Sequence, residues 1–290
     1  MTLVLDRSSM AWQSGLMNRL PIEKRAQILG LLVEGNSLRA TSRLADVSIN
    51  TVTKLLVEVG QACAQYQDGE LRNLRCQRIQ VDEIWSFCYA KQKNLATMKT
   101  PIQGAGDIWT WTAICADTKL APSWLVGSRD ADSARTFITD LASRMASRIQ
   151  LTSDGHGPYL EAVEGAFGND VDYAMLVKVY GPAPETGKTR GSEQCIGIYH
   201  QRITGNPRGE HVSTSFVERQ NLTMRMSMRR FTRRTNGFSR KVENHAHAVA
   251  LHFMYYNFGR IHKTLRVTPA MEAGIADHVW TLQEIASLVT

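Results

Sequence analysis

The stretch RIQVDEIWSFCY, residues 78–89, decides the fold. β-branched and aromatic residues dominate it, as in a strand. Asp82 interrupts its apolar run, and an isolated carboxylate there costs on the order of several kcal/mol unless paired, protonated or metal-bound. A polar loop with Lys91, Lys93 and Lys99 follows. Ile108–Ala116 and Leu120–Gly127 read as two more strands, separated by the hairpin-like turn Asp117-Thr118-Lys119. Asp130–Met145 carries Ala134, Phe137, Ile138 and Leu141 on one side, the pattern of an amphipathic helix. Ile149–Thr152 is a short apolar strand that stops at Ser153-Asp154-Gly155. Pro158–Phe167 reads as a helix and Tyr173–Tyr180 as a strand. Gly181–Glu210, rich in Gly, Pro and Thr, reads as a loop, and long helices over Thr214–Thr235 and Val242–His262 close the pattern. This order predicts an α/β mixed sheet with helices on its faces.

Upstream the period changes. Pro21 suits the first position of a helix in which Ile22, Ala26, Leu29 and Leu32 or Val33 recur until Gly35. Ser37 can cap a second helix, Leu38–Ala45, and Asp46-Val47-Ser48 makes the turn. Ser48 then caps a third helix carrying Val52, Leu55, Leu56 and Val59 inward, with Gly60 after it. Two short helices and a tight turn form a helix-turn-helix. The spacing resembles the signature of DNA-binding proteins, with Ser42 for the usual alanine and Asp46 for the usual glycine, a residue that tolerates a left-handed turn. Ile49, Asn50, Thr51, Thr53 and Lys54 would then face the major groove; the plainer alternative is a docking or dimerisation domain. The resulting division is an all-α helix-turn-helix domain over 1–72, a catalytic domain over 73–262 that includes the loop 181–212, and a tail over 263–290.

Composition narrows the class. The chain has 290 residues, 43% of them hydrophobic and 21% charged, an ordinary globular balance. No apolar run approaches a membrane span, and Asp6 and Arg7 interrupt any secretory core, so a cytoplasmic protein is expected. Five cysteines with no Cys-x-x-Cys argue for reduced thiols and against a zinc finger. The net charge of +7 is concentrated: Arg219–Val242 holds eight basic residues and no acid. A block so local points to a phosphate-rich partner, against the alternative of a solvated face.

Three carboxylates stand out by position. Asp82 lies within the first strand, Asp154 directly follows a short strand, where parallel sheets place ligand-binding residues, and Glu218 opens the basic helix. No local motif joins them, so only the fold can. At this point the chain resembles a known family. VDEIWSF (81–87), TSDGHGPY (152–159), STSFVERQNLTMRMSMRRFTRRTNGFSR (213–240) and YNFGRIHKTLRVTPAM (256–271) look like DDE transposases, nearest to the first-numbered family of bacterial insertion sequences. The likeness runs from about residue 15 to 275, and VERQN…MRR…GFSR is its most specific part. Unlike some relatives, the chain has no cysteine-based zinc finger before the helix-turn-helix.

The resemblance implies an RNase H-like core with Asp82, Asp154 and Glu218 as catalytic metal ligands. Arg225, seven residues after Glu218, matches the family's basic residue, and a helix returns to the same face at that spacing. Glu83 alternates to the opposite face of the strand and is not counted as a ligand. Carboxylates are the preferred ligands of Mg²⁺ or Mn²⁺, and a pair of such ions stabilises the attacking and leaving oxygens of phosphodiester transfer. Water would nick the element's end, and the freed 3′-hydroxyl would attack target DNA. The expected partners are double-stranded DNA, at the transposon ends and the target, and further copies of the chain on that DNA, with no membrane. Arg229, Arg230, Arg233 and Arg234 are expected to grip phosphates. Two rivals are a transposase-derived regulator without catalysis and a structure-specific nuclease, such as a junction resolvase, on the same fold.

Other conspicuous residues read as structural. His245, His247 and His252 suit packing or hydrogen bonding on a helix. Trp85, Trp109, Trp111 and Trp124 read as core, Met224, Met226 and Met228 as gap-fillers, and Cys88 and Cys115 as buried small hydrophobes. His156 is near enough to Asp154 to contact DNA or water.

Overall fold

A computed structural model describes residues 19–100, 102–181, 194–232 and 235–289. Helix α1 (Ile22–Val33) buries Ile28, Leu29 and Val33, and Gly35 follows with a φ of 81°. Helix α2 (Leu38–Leu44) is capped by Ser37, whose Oγ accepts from the Ala40 amide. The turn holds Asp46 at a φ of 48°, the left-handed conformation expected of it. Ser48 accepts from the Thr51 amide and starts α3 (Ile49–Glu70).

That helix does not end at Gly60. It runs a further ten residues because Gly60 is a contact point rather than a stop: a Cβ there would meet the carbonyl oxygen of His247 at 2.5 Å. The missing side chain lets α3 lie directly on α8 (Val242–Met254). Gln67 ties the pair together by donating to the Ala250 carbonyl.

The sheet has six strands in the order β3-β2-β1-β4-β5-β6. They are β1 (Arg78–Cys88), β2 (Gly106–Cys115), β3 (Trp124–Gly127), β4 (Ile149–Ser153), β5 (Val171–Gly181) and β6 (Gln194–Thr204). β2 and β3 pair antiparallel on one side of β1, β4 and β5 run parallel on the other, and β6 returns antiparallel to β5. Helices α5 (Ala131–Arg144) and α6 (Pro158–Phe167) cover one face, α7 (Ser215–Ser227) and α8 the other. The expected α/β mixed sheet with flanking helices, preceded by helices, is therefore present.

Several local readings are corrected. Part of the expected loop 181–212 is β6, an edge strand exposed along most of its length. The expected strand from Leu120 begins only at Trp124, and the loop after β1 contains one helical turn, α4 (Gln92–Leu95). The basic helix stops at Ser227; Met228 is extended and a 3₁₀ turn, Arg229–Phe231, buries Met228 and Phe231 beside Met224 and Phe253. α8 ends at Met254 and passes into a π-helical turn, Tyr255–Gly259. Beyond it lie α9 (Pro269–Glu272) and α10 (Leu282–Ser287), and α10 packs on α1. One cluster of buried side chains runs from Ile28 through Val81 and Leu151 to Ile285, so α1, α3 and α10 share a core with the sheet. Among the described residues no helix is long and apolar enough to cross a membrane.

Candidate active site

β1 and β4 run parallel with Gln80 beside Thr152, so two residues further on Asp82 and Asp154 stand at neighbouring strand positions. Alternation sends Gln80 and Asp82 to the face covered by α7 and Glu83 to the face covered by α6. Gln80 fixes α7 there, because its Oε1 accepts from the amides of Phe216 and Val217, two of the donors a helix start leaves free. Asn221, one turn beyond Glu218, donates to Asp82 Oδ2 at 2.8 Å. Asp154 ends its strand in a turn whose His156 amide donates to Asp154 Oδ1 at 3.0 Å.

The carboxylates converge, though not as the expected trio. Oxygens of Asp82, Glu83 and Asp154 lie within 4.8 Å of one another. Glu83 does point to the opposite face, yet its length carries the carboxylate to Asp154 beyond the end of β4. Both its oxygens are engaged: Arg129 pairs with Oε1 at 2.6 Å and the Tyr159 hydroxyl donates to Oε2 at 3.0 Å. Glu218 is outside that group. Its Oε1 accepts from the Thr214 hydroxyl at 2.6 Å and from the Lys178 ammonium. Burial would raise the Glu218 carboxyl, but Lys178 and Thr214 outweigh it and hold the group below its ordinary value.

Asp82 is under the opposite pressure. Burial, then the charges of Glu83, Asp154 and Glu218, push its carboxyl up to about 7. Among the described residues, no salt bridge reaches Asp82 or Asp154. Two adjacent carboxylates outside any salt bridge among the described residues are a donor set suited to a hard divalent ion. Asp82 and Asp154 would hold it, with Glu218 reaching in once released by Lys178.

The expected DNA-facing residues fall in two places. Asn50 and Lys54 are exposed at the start of α3, with Lys54 paired to Glu58 at 3.8 Å. Thr51 and Thr53 are half-buried and their hydroxyls bond to Ser48 and the Ile49 carbonyl. Arg225 sits in the last turn of α7 and Arg229 is exposed just after it. Arg230 turns inward: Nη1 donates to the Asn244 carbonyl at 2.5 Å, and burial pulls its guanidinium down to about 10. Arg233 and Arg234 lie outside the described residues. A cleft of about 660 Å³ joins the two places. Its lining includes Asn50, Thr53, Arg39, Arg229 and Arg240, and no acidic side chain.

The histidines behave as structural groups. His245 bonds through Nδ1 to Ser239 and through Nε2 to Ser86, and His252 Nε2 meets Gln220. Burial holds both rings down to about 3. Such a group adds stability above its unfolded value near 6.5 and loses it as pH falls toward the folded value. The fold should therefore weaken below about pH 6.5, by up to about 1.4 kcal/mol per pH unit for each ring. Denaturant unfolding from pH 7 to 4 checks this, and His245→Asn should flatten the slope. Among the described tryptophans only Trp111 is fully buried; Trp85, Trp109 and Trp124 are half-buried, and Met226 is exposed rather than a core gap-filler. Cys88 and Cys115 are buried as expected.

Glu83 was set aside in the sequence, and Lys178 and Asn221 went unread. Asn221 alone had a signal, its three-residue spacing from Glu218. No protein-family model matches the chain, and no curated protein matches it.

Proposed function

We infer that the protein is a Mg²⁺- or Mn²⁺-dependent DNA transposase with an RNase H-like core and a helix-turn-helix reader. The observation that carries this reading is the pair Asp82, within β1, and Asp154, just past the end of the parallel strand β4, with no salt bridge to either among the described residues. The strand order and the resemblance in VDEIWSF, TSDGHGPY and VERQN support the same assignment.

In this mechanism Asp82 and Asp154 would hold the metal, Asn221 fixes the Asp82 carboxylate, and Glu218 would join them from α7. A divalent ion held there would supply charge stabilisation to the attacking and leaving oxygens of a phosphodiester. Lys178, once released from Glu218, would be free to meet a phosphate oxygen. Arg39, Arg229 and Arg240 hold the DNA backbone along the acid-free cleft, while Asn50 and Lys54 face base edges.

The test is an assay of supercoiled plasmid and a 3′-hydroxyl-ended duplex with Mg²⁺, Mn²⁺ or EDTA. Metal-dependent nicks together with joined products are expected. Nicking without joining would replace the reading by a nuclease, and tight binding with neither by a regulator.

A further inference from the structure

The helix layer over the Glu83 face of the sheet stops short of the strand ends. Trp111 on β2 is fully buried against Phe137 and Tyr159, at ring separations of 6.0 and 5.4 Å. One same-face position further along, Trp109 is only half-buried, and so is Trp85, its direct partner on β1. Neither ring belongs to a buried cluster. Phe87 continues the row, 5.7 Å from Trp85, and Phe238 stacks on Phe87 at 5.1 Å. This ledge begins two residues from Glu83, about 7 Å along the strand.

Cations border the rings. Lys91 Nζ lies 5.6 Å from the Trp85 ring and 5.8 Å from Phe87. The Arg129 guanidinium stands 4.8 Å from the Trp109 ring while paired to Glu83, which links the ledge to the carboxylates. The acid paired with Phe87, Asp107, is turned to accept the Gln92 amide. Half-open aromatic faces interleaved with cations suit a ligand carrying flat π-surfaces on an anionic backbone. A paired base hides its face in the duplex stack; an unpaired base offers it.

We propose that Trp85, Phe87, Trp109 and Phe238 form a stacking platform for unpaired bases of the nucleic-acid strand whose phosphodiester occupies the carboxylate site. Lys91 and Arg129 face that strand's phosphates. This deepens the transposase reading and rests on it: the substrate beside the cut is a strand opened by at least one base.

The experiment uses the full chain in EDTA, so that binding is read without cleavage. Fluorescein-labelled oligo(dT) and a duplex of equal length are titrated by anisotropy against wild type, Trp85→Leu, Trp109→Leu and Trp85→Phe. Each Leu variant should weaken oligo(dT) binding about tenfold, the size of one lost base–aromatic stack, and leave the duplex within about twofold. Trp85→Phe should restore most of the loss. Unchanged oligo(dT) affinity, or an equal loss on duplex, overturns the platform. If a Leu variant melts early by circular dichroism, wild-type tryptophan fluorescence decides: quenching by oligo(dT) and not by duplex supports the platform, and no quenching overturns it. Plasmid nicking stays a separate readout, so wild type that nicks while its ledge ignores oligo(dT) sinks the platform alone.

Discussion

Asp82→Asn should reduce metal-dependent nicking by about a thousandfold or more while raising the thermal stability of the metal-free protein. Losing one ligand forfeits several kcal/mol of charge stabilisation in the transition state, and about 4 kcal/mol is a thousandfold in rate. The opposite sign for stability follows from crowding. Asp82 is desolvated and faces Glu83, Asp154 and Glu218. Neutralising it relieves that repulsion at the loss of one hydrogen bond, since Asp82 accepts from both Asn221 and the Glu83 amide. The net gain should be about 1 kcal/mol. Mg²⁺ should raise the melting temperature of wild type and leave that of the variant unmoved. Nicking assays and melts with and without Mg²⁺ check both halves. A variant that still nicks, or that melts early, removes Asp82 from the site.

The second large effect lies where α3 crosses α8. Helix propensity alone says that Gly60→Ala stabilises by about 1 kcal/mol. The contact reverses the sign, because an added Cβ would lie 2.5 Å from the His247 oxygen and 2.6 Å from its Cβ. The oxygen is backbone, so the helices must separate, and overpacking of this kind costs about 1–3 kcal/mol or more. A net destabilisation of about 2 kcal/mol is expected after the propensity gain is subtracted. Gly69→Ala in the same helix is the control: nothing lies within 4 Å of its Cβ position. It should be neutral or stabilising. Urea unfolding of the two variants decides the matter, and a stabilised Gly60→Ala would show that the helices have room to spare.

Gly60 also marks where sequence reading reaches its limit. A glycine after an amphipathic run reads as a stop, and the signal that it serves a neighbouring helix sits 187 positions away, in His247. The elements that were legible carry local signals. Pro158–Phe167 starts on a proline, and α2 and α3 start on Ser37 and Ser48, each bonded three residues ahead. β6 and the break after Ser227 have no such marker; one is made by pairing with β5, the other by burying Met228 and Phe231. At the site, Asp82 and Asp154 were legible from strand context. Glu83 was set aside on alternation, which fixes where a Cβ points but not how far a glutamate reaches back around the strand edge. Lys178 lay within the expected strand 173–180 with no pattern to single it out, because its partner Glu218 is distant in sequence.

The seating of α10 on α1 has a consequence in time. Arg25 donates to the carbonyls of Ala286 and Val289, and Leu282 packs against Gly30. The ends of this contact are 261 residues apart, which a ribosome working at 5–20 residues per second takes about 13–50 s to traverse. Throughout that interval α1 has left the ribosome with part of its apolar face waiting for a partner not yet made. Nascent chains therefore present that face to any chaperone within reach, and chains cut short before Leu282 keep presenting it. A fragment that ends before α10 therefore lacks the support that α10 gives α1 and α3.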